Sequence, residues 1–252
     1  MNRLKDKVAL ITGASRGIGS GIATAFAADG ASVAVNYSSD RCGAERVAQS
    51  IVDGGGKAVA VGADVSRRAE VARMFREIDR AFGRLDVLVN NAGIFRFSAV
   101  EDITDESFHA HYSINVLGSI LTVQEAVKRF GPAGGSIINL SSIVGSHPVA
   151  GAVLYASTKG ALETLTKGLA LELAPRKIRV NAIAPGHTET EGNVAAGTFE
   201  GGAGAVLAEK TPLGRLGRVK DITPLAVFLA SDESAWITGE VIRASGGLIV
   251  AE

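Results

Sequence analysis

The chain has 252 residues, and its 26 lysines and arginines balance 26 aspartates and glutamates, so the formal charge at pH 7 is zero. A balanced surface offers no electrostatic footprint for nucleic acid or for an anionic membrane, and we expect no partner of either kind. Four histidines and one cysteine are scattered along the chain without forming a ligand cluster, so we expect no metal.

The overall layout predicts one cytoplasmic domain. A length of 252 residues lies within the single-domain range and no linker divides the chain, so we assign residues 1–252 to one domain. Residues 1–7 lead directly into the first predicted strand, which leaves no room for the apolar region of a signal peptide. The stretch 131–158 has no charged residue, but its Gly, Pro, Asn and Ser exclude a membrane span.

Predicted strands and helices alternate from Val8 to Val241. Apolar strand patterns lie at residues 8–11, 32–35, 86–89 and 178–183, and helix-like segments include 18–29 and 155–173. This alternation predicts an α/β fold, with a doubly wound parallel sheet of about seven strands and helices on both faces, in three layers. Ligands of such sheets bind at the carboxyl ends of the strands.

The first predicted strand runs into a glycine-rich turn. Residues 12–19 read Thr-Gly-Ala-Ser-Arg-Gly-Ile-Gly, and a helix-like segment follows directly. Glycines let the backbone approach a pyrophosphate, and a helix N-terminus offers it unpaired N–H groups. The spacing G-x-x-x-G-x-G departs from the general fingerprint G-x-G-x-x-G, and a bare glycine turn is the alternative. The position of residues 12–19 at the start of a βαβ unit favours the dinucleotide site over this alternative.

A second motif combines a phenol, an ammonium group and a hydroxyl. Tyr155 and Lys159 are four positions apart, which places them on one face of a helix, and Ser142 lies thirteen residues before the tyrosine. A phenol with a pKa near 10 is a poor acid or base at pH 7, and a nearby cation such as Lys159 lowers that pKa. Reaching a pKa near 7 requires roughly 4 kcal/mol, which calls for a second cation such as an oxidised nicotinamide ring. For this pair alone, an ordinary helix surface is the competing interpretation.

The chain resembles the short-chain dehydrogenases/reductases over nearly its full length. The family has a T-G-x-x-x-G-x-G loop, here 12–19, and a Y-x-x-x-K pair, here Tyr155 and Lys159. It also has N-N-A-G after the fourth strand, here 90–93, and P-G-x-x-x-T after the sixth, here 185–190. The resemblance implies a Rossmann-type fold and hydride transfer between a nicotinamide dinucleotide and a carbonyl or alcohol carbon.

Four catalytic residues follow from the resemblance. Tyr155 is the expected acid/base, Ser142 the hydroxyl that holds the substrate carbonyl, and Lys159 the residue that binds the nicotinamide ribose. Asn115 matches the asparagine that helps to hold a water linking the lysine to solvent, and a helix amide that satisfies a backbone kink is the alternative. Ser141 is the neighbour most easily confused with Ser142, and only the spacing to the tyrosine selects Ser142.

The expected cofactor is NADP(H). NAD-preferring relatives usually have an acid at the end of the second strand, where it holds the ribose 2′-hydroxyl, but Tyr37 occupies that position here. Arg16 supplies a cation for a 2′-phosphate, and Asn36, Ser38 and Arg41 are candidate donors to it.

Two aspartates bear on the same cofactor. Asp40 is the competing acid, but it falls beyond the strand end and is expected to cap the next helix. Asp64 and Val65 resemble the family's adenine contact, although a turn-capping aspartate gives the same pattern. The full predicted cofactor set is Gly13, Ser15, Arg16, Gly17, Ile18, Gly19, Asn36, Tyr37, Ser38, Asp64, Val65, Asn91, Ala92, Gly93, Tyr155, Lys159, Pro185, Gly186, Thr188 and Thr190.

The segment after P-G-x-x-x-T closes over the substrate in relatives, and here it spans about residues 187–213. Its glycine content indicates a mobile lid, with surface slack as the alternative. The candidate substrate residues are Ser142, Phe95, His147, Gly186 and His187, and Phe97 and Val144 add to a partly apolar pocket wall. His147, as a lone loop histidine, also fits a purely structural role.

The resemblance extends to assembly and to partners. Residues 237–247 resemble the family's last strand and tetramer contact, although Ser245 stands where relatives have an acid or Asn, and we expect a homotetramer. An acyl carrier protein would need basic residues to receive it. Arg176 and Lys177 are suitably placed, but the turn 131–135 lacks the basic residue expected there, so this partner is not favoured.

We therefore predict an NADPH-dependent carbonyl reductase acting on a small or medium ketone or a 3-oxoacyl ester. One alternative is an NAD(P)-dependent sugar or secondary-alcohol dehydrogenase. The other is a non-catalytic dinucleotide-sensing protein, against which the complete catalytic set argues.

Overall fold

The structure, a computed structural model, describes residues 2–248 apart from 196 and 200. The strands in this part of the chain are β1 (Val8–Ile11), β2 (Ser32–Tyr37), β3 (Lys57–Gly62), β4 (Val87–Asn90), β5 (Gly135–Leu140), β6 (Ile178–Pro185), β7 (Thr188–Glu189), β8 (Gly217–Arg218) and β9 (Val241–Ala244). Seven of them form one parallel sheet in the order β3-β2-β1-β4-β5-β6-β9, and β7 pairs with β8 separately. The predicted doubly wound sheet is confirmed.

Helices cover both faces of the sheet. They are α1 (Gly17–Ala28), α2 (Arg41–Asp53), α3 (Arg68–Phe82), α4 (Asp105–Tyr112), α5 (Gly118–Val127), α6 (Val153–Leu173), α7 (Glu191–Ala195), α8 (Ala203–Lys210) and α9 (Val219–Ala230). Residues of α1, α2 and α9 belong to one core cluster, and residues of α3, α5 and α6 belong to the other. The sheet therefore forms the middle of three layers.

The apolar sequence of β1 reflects burial on both of its faces. Ala9 and Ile11 pack in the first core cluster, whereas Val8 and Leu10 pack in the second, because successive side chains in a strand point to opposite sides. A parallel strand buried on both sides reads as a continuous apolar run rather than as an alternating pattern.

The order of the strands fixes where a ligand can bind. The chain winds outward from β1 through β2 to β3, then returns to place β4 on the other side of β1. At such a switch point, the loops that leave the two adjacent strands diverge and open a crevice. The loops after β1 and β4 are the glycine-rich turn and the Asn-Asn-Ala-Gly segment, so both motifs meet at this crevice.

Helix α6 begins two residues before Tyr155 and carries it into the site, and a π-helical turn at Ser113–Leu117 joins α4 to α5. None of the helices in the described part of the chain is both long enough and apolar enough to cross a membrane.

Candidate active site

A cleft with a volume of about 630 Å³ opens where the sheet strands end. Gly13 after β1, Asn91 after β4, Ser141 after β5 and Gly186 after β6 all line it. Every residue of the predicted cofactor set lies along this cleft, together with Ser142, Phe95 and His187 from the predicted substrate set. The structure thus brings together predicted site residues that are up to 177 positions apart in the sequence, from Gly13 to Thr190.

At two positions of the loop, atoms of the Asn91–Ala92 segment lie too close to leave room for a side chain. A Cβ atom at Gly13 would lie 2.9 Å from Ala92 Cα, and φ of Gly13 is +60°. A Cβ atom at Gly19 would lie 2.5 Å from Asn91 Nδ2. The same Asn91 amide donates to the Thr12 carbonyl at 2.8 Å and to the Gly13 carbonyl at 2.9 Å, which fixes the loop to the β4 segment. The loop is therefore preorganised at the N-terminus of α1.

An anion already lies at this helix terminus. The Gly17 N–H donates to Oε2 of Glu191 at 3.0 Å, and Glu191 comes from α7 at the start of the predicted lid. The carboxylate occupies the kind of position that a phosphate oxygen takes at a helix N-terminus. This contact was not predicted, because nothing in the sequence indicates that residue 191 reaches residue 17. The glycine loop and the Gly17 N–H, which can donate to an anion, make the cleft suitable for a dinucleotide.

Asn36 has a structural role that differs from the predicted one. Its side chain is buried, its Oδ1 accepts from the Gly13 N–H at 3.1 Å, and its Nδ2 faces the carbonyls of Val61 and Ala63 at 3.2 and 3.1 Å. Both ends of the amide are therefore committed to backbone groups of the glycine loop and of the end of β3. The expectation that Asn36 donates to a 2′-phosphate is corrected accordingly.

Arg41 does not line the cleft, and its Nε donates to Glu45 at 2.7 Å one turn along α2. Both side chains of this pair are exposed, so donation by Arg41 to a 2′-phosphate stays a prediction. Asp40 caps α2 as expected by accepting from the Gly43 N–H at 2.9 Å, although it also lines the cleft. Arg16 and Ser38, by contrast, are exposed and face the cleft.

Asp64 was given two alternative roles, an adenine contact and the cap of a turn. Asp64 lines the cleft, and its Oδ1 accepts from the backbone N–H of Ser66 at 2.9 Å and from the Ser66 hydroxyl at 2.7 Å. The turn-capping role is therefore present, and an adenine contact stays a prediction.

Tyr155, Lys159 and Ser142 converge at the carboxyl end of β5. Lys159 Nζ lies 5.6 Å from the centre of the Tyr155 ring and donates to the Leu140 carbonyl at 2.7 Å. The Ser142 side chain lies close enough to the Tyr155 phenol to lower its pKa. The helical spacing of the first two residues therefore places both functional groups in one space, as predicted.

Burial dominates the electrostatics of this group. It raises the pKa of Tyr155 to about 12, against the opposing effect of the nearby Ser142 hydroxyl. It also lowers the pKa of Lys159 to about 8. The expected lowering of the Tyr155 pKa is therefore wrong for the chain's own groups, because loss of water around the phenolate outweighs the stabilisation that they provide.

Ser141 and Ser142 have different surroundings. The Ser141 hydroxyl is 5% exposed and donates to Glu163 Oε1 at 3.0 Å, on the helix α6. Ser142 is half-buried, lies beside Tyr155 and accepts weakly from the Val144 N–H at 3.4 Å. The geometry favours Ser142 as the hydroxyl available to a substrate, in agreement with the spacing argument.

Asn115 acts through its neighbours. Its side chain is buried in the π-helical turn, where Oδ1 accepts from Ile94 N at 2.8 Å and Nδ2 donates to Ile94 O at 2.9 Å and to Thr158 Oγ1 at 3.0 Å. Thr158 immediately precedes Lys159, so Asn115 ties the loop after β4 to the catalytic helix. Its side chain does not line the cleft, so Asn115 acts here as a positioning residue, and its expected part in holding a water near the lysine stays a prediction.

An apolar wall adjoins Tyr155. The Phe95 ring centre lies 6.2 Å from that of Tyr155 and 6.3 Å from that of Phe97, in tilted and edge-on arrangements. Val144, Val149 and Phe199 complete the wall. Val149 and Phe199 were not predicted, because apolar residues in irregular loops produce no periodic pattern.

The two histidines of the predicted substrate set separate. His187 lines the cleft, and burial lowers its pKa. His147 does not line it, and its Nδ1 lies 3.1 Å from Ser146 Oγ. Val144 of the short 3₁₀ turn at Ile143–Gly145 does line the cleft, and a contact of His147 with the substrate stays a prediction.

Comparison with known proteins agrees with this geometry. A family model described as enoyl-(acyl carrier protein) reductase matches residues 13–249. An uncharacterized oxidoreductase of Methylorubrum extorquens is 49% identical over 98% of this chain and 100% of its own length. Versicolorin reductase 1 of Aspergillus parasiticus is 35% identical, over 98% of this chain and 97% of its own.

A solved structure also resembles this chain over its whole length. The crystal structure of a short-chain dehydrogenase from Burkholderia cenocepacia in complex with NADP has a TM-score of 0.92 and 38% identity, and the match covers 98% of this chain and 100% of that one. This chain is an oxidoreductase that belongs to the short-chain dehydrogenase/reductase family.

Proposed function

We propose that the protein is an NADPH-dependent carbonyl reductase that converts a ketone or a 3-oxoacyl substrate into a secondary alcohol. The observation that carries this proposal is that Ser142, Tyr155 and Lys159 lie together in the same cleft as the glycine loop. When bound, the reduced nicotinamide supplies the hydride.

A phenol with a pKa of about 12 is protonated at pH 7, as a proton donor must be, but it is a weak acid there. Effective donation therefore requires that the phenolate be stabilised, which is the role we assign to Lys159. Ser142 donates a hydrogen bond to the carbonyl oxygen, where negative charge develops, and Tyr155 passes its proton to that oxygen to complete the alcohol. General acid catalysis of this kind contributes about 10²- to 10⁴-fold.

Lys159 stabilises the phenolate that this proton transfer leaves behind. With a pKa of about 8, its ammonium group is mostly charged at pH 7. Its bond to the Leu140 carbonyl holds the side chain in place next to the tyrosine ring. We propose that it also holds the nicotinamide ribose, as the family resemblance implies.

The preference for NADP(H) is supported by Arg16, Tyr37 and Ser38. All three line the cleft, and Tyr37 stands where an acid would repel a 2′-phosphate. The similar short-chain dehydrogenase from Burkholderia cenocepacia was crystallised in complex with NADP. The test compares kcat/KM for NADPH and NADH in the wild type and in Arg16→Ala. A selective loss with NADPH is expected, and equal use of both cofactors by the wild type contradicts the proposal.

Oxidation of a sugar or a secondary alcohol is the second candidate, and the charge distribution disfavours those sugars that carry a carboxylate. Among the described residues, the Lys and Arg side chains that line the cleft are Arg16 and Lys159. Arg16 belongs to the cofactor end, and Lys159 to the proton-transfer group, so no third cation is available to a carboxylate. The name of a similar protein, versicolorin reductase, also supports a reductive activity.

An acyl carrier protein is not favoured as the carrier of the substrate. Arg176, one of the two basic residues considered for it, donates to the Val127 carbonyl at the end of α5. This bond satisfies a helix terminus and explains the arginine without a partner.

We further propose that residues 1–252 form one cytoplasmic domain, that 187–213 act as a lid, and that the protein is a homotetramer. Trp236 is fully exposed and Leu171 is 82% exposed, and large exposed apolar side chains are typical of subunit contacts. Analytical ultracentrifugation tests the assembly, and a monomeric mass contradicts it.

The proposed activity is tested by following NADPH absorbance with ketones, β-keto esters, an enoyl thioester and sugars, for the wild type and Tyr155→Phe. We expect turnover of ketones that is lost in the variant while NADPH still binds. Full activity in Tyr155→Phe would refute the acid/base assignment, and cofactor binding without turnover of any substrate would favour a sensor.

A further inference from the structure

We infer that the preferred substrate is an aryl ketone and that Phe97 and Phe199 are specificity-determining residues that receive its ring. This inference rests on the carbonyl reductase function proposed above. It assigns a substrate class to the apolar wall beside Tyr155.

The first observation is a chain of aromatic rings that leads away from the proton donor. Tyr155, Phe95 and Phe97 follow one another with centre-to-centre distances of 6.2 and 6.3 Å and interplanar angles of 59° and 61°. Tilted and edge-on pairs at such distances are the favourable geometries for aromatic rings. A flat ring attached to the carbonyl carbon would extend this series, because the carbonyl oxygen must lie at the Tyr155 hydroxyl.

The second observation is that Phe97 and Phe199 come from separate segments of the chain. Phe97 follows β4 and is 57% exposed, whereas Phe199 belongs to the proposed lid and lines the same cleft. Phe199 also lines a smaller cavity with Gly204 and Ala208, so it borders both spaces. An exposed phenylalanine at the edge of a cleft gains apolar contacts when a ring binds beside it.

The third observation is the chemistry of the remaining lining. Val144 and Val149 present only aliphatic groups, and the acids that line the cleft in the described part of the chain, Asp40 and Asp64, follow β2 and β3 at the cofactor end. The wall beside Tyr155 therefore offers ring faces, ring edges and methyl groups. Such a surface selects an uncharged substrate, and its rings favour an aromatic one over an aliphatic one of equal size.

The experiment compares two ketones that share the methyl carbonyl group and the number of carbon atoms, acetophenone and cyclohexyl methyl ketone. Their ratio of kcat/KM defines the aromatic preference, which is measured with NADPH for the wild type, Phe97→Leu, Phe199→Leu and the double variant. The two ketones differ in intrinsic reactivity, but this difference cancels when the ratios of two enzymes are compared. Leucine keeps an apolar side chain and removes the ring.

Each single variant is expected to lower the aromatic preference by about 2- to 12-fold, the range for one aromatic pair, and the double variant by more. Reduction of the cyclohexyl ketone is expected to change much less. Phe108→Leu is the matched control, because Phe108 is exposed on α4 outside the cleft, and its aromatic preference should equal that of the wild type.

An aromatic preference that stays the same in both leucine variants overturns the inference, as does an equal loss for both ketones. If β-keto esters are reduced but neither test ketone is, the inference fails while the proposed function stands. If the wild type reduces no carbonyl compound, the proposed function itself fails. Thermal unfolding of each variant verifies that the fold is intact.

Discussion

The pH dependence of ketone reduction follows from the shifted pKa values of Tyr155 and Lys159. Tyr155, with a pKa of about 12, keeps its proton throughout the accessible range, so the supply of the acid does not limit the rate. Lys159, with a pKa of about 8, loses its proton as the pH rises through that value. The loss removes the cation that stabilises the phenolate, so activity should fall on the alkaline side.

The magnitude can be worked from the same value. At pH 10, two units above the pKa, only about 1% of Lys159 is charged, so kcat/KM for the ketone should be roughly 100-fold below its plateau at pH 6 to 7. If the uncharged lysine retains part of the activity, the decline levels off earlier. The profile is recorded at saturating NADPH, with the initial rate taken from the absorbance of the cofactor.

Lys159→Arg provides the decisive comparison. A guanidinium group stays charged across this range, so the alkaline decline should disappear. The plateau should be lower than in the wild type, because the planar guanidinium group does not reproduce the single bond from Nζ to the Leu140 carbonyl at 2.7 Å. An alkaline decline that persists at the same pH in Lys159→Arg refutes the assignment of the titrating group to Lys159.

Two further predictions concern the cofactor cradle. Gly13→Ala should lower the free energy of unfolding by about 1 to 3 kcal/mol, since its Cβ atom would lie 2.9 Å from Ala92 Cα at a φ of +60°. Gly168→Ala is the control, because Gly168 lies within α6 and no atom is within 4 Å of the added Cβ; it should raise the free energy of unfolding by roughly 0.5 to 1 kcal/mol. Urea unfolding measures both variants, and equal effects would contradict the packing argument. Glu191→Gln should lower the KM for NADPH, most strongly at low ionic strength, because it removes a negative charge from the Gly17 N–H where phosphate is expected. An unchanged or higher KM at low salt would mean that the carboxylate does not compete with the cofactor.

The fold was predictable because its signals are local and repeated. Apolar runs such as 8–11 mark strands buried on both faces, and glycines mark the turns between strand and helix. The glycine loop and the pair of Tyr155 and Lys159 were predictable for the same reason, since strand ends and helical spacing determine where their groups point. The cleft follows from strand order, which the alternation of elements implies.

The differences from the predictions have a common physical origin in tertiary contacts. Asn36 resembles a phosphate donor by its position at the end of β2, but its amide group donates to the carbonyl of Tyr37 and to two carbonyls at the end of β3. His147 is close to Ser142 in sequence, but it does not line the cleft that Ser142 lines. In irregular segments the direction of a side chain depends on distant partners, which a single sequence does not reveal.

The Tyr155 pKa was misjudged for a related reason. The helical spacing indicated that Lys159 would be near, and this was right, but the spacing carries no information about how much water surrounds the phenol. Burial of both groups decides the sign of each shift, and burial depends on the whole of the surrounding fold.

The most direct test of the central claim is isotope transfer from NADPH deuterated at C4 of the nicotinamide to a ketone. The account predicts that, for one of the two C4 stereoisomers, the alcohol carries one deuterium on its carbinol carbon, seen by mass spectrometry, and that Tyr155→Phe loses this product while still binding NADPH. Deuterium on a neighbouring carbon of an unsaturated substrate, or an alcohol without deuterium from both stereoisomers, would contradict the assignment of the protein as a carbonyl reductase.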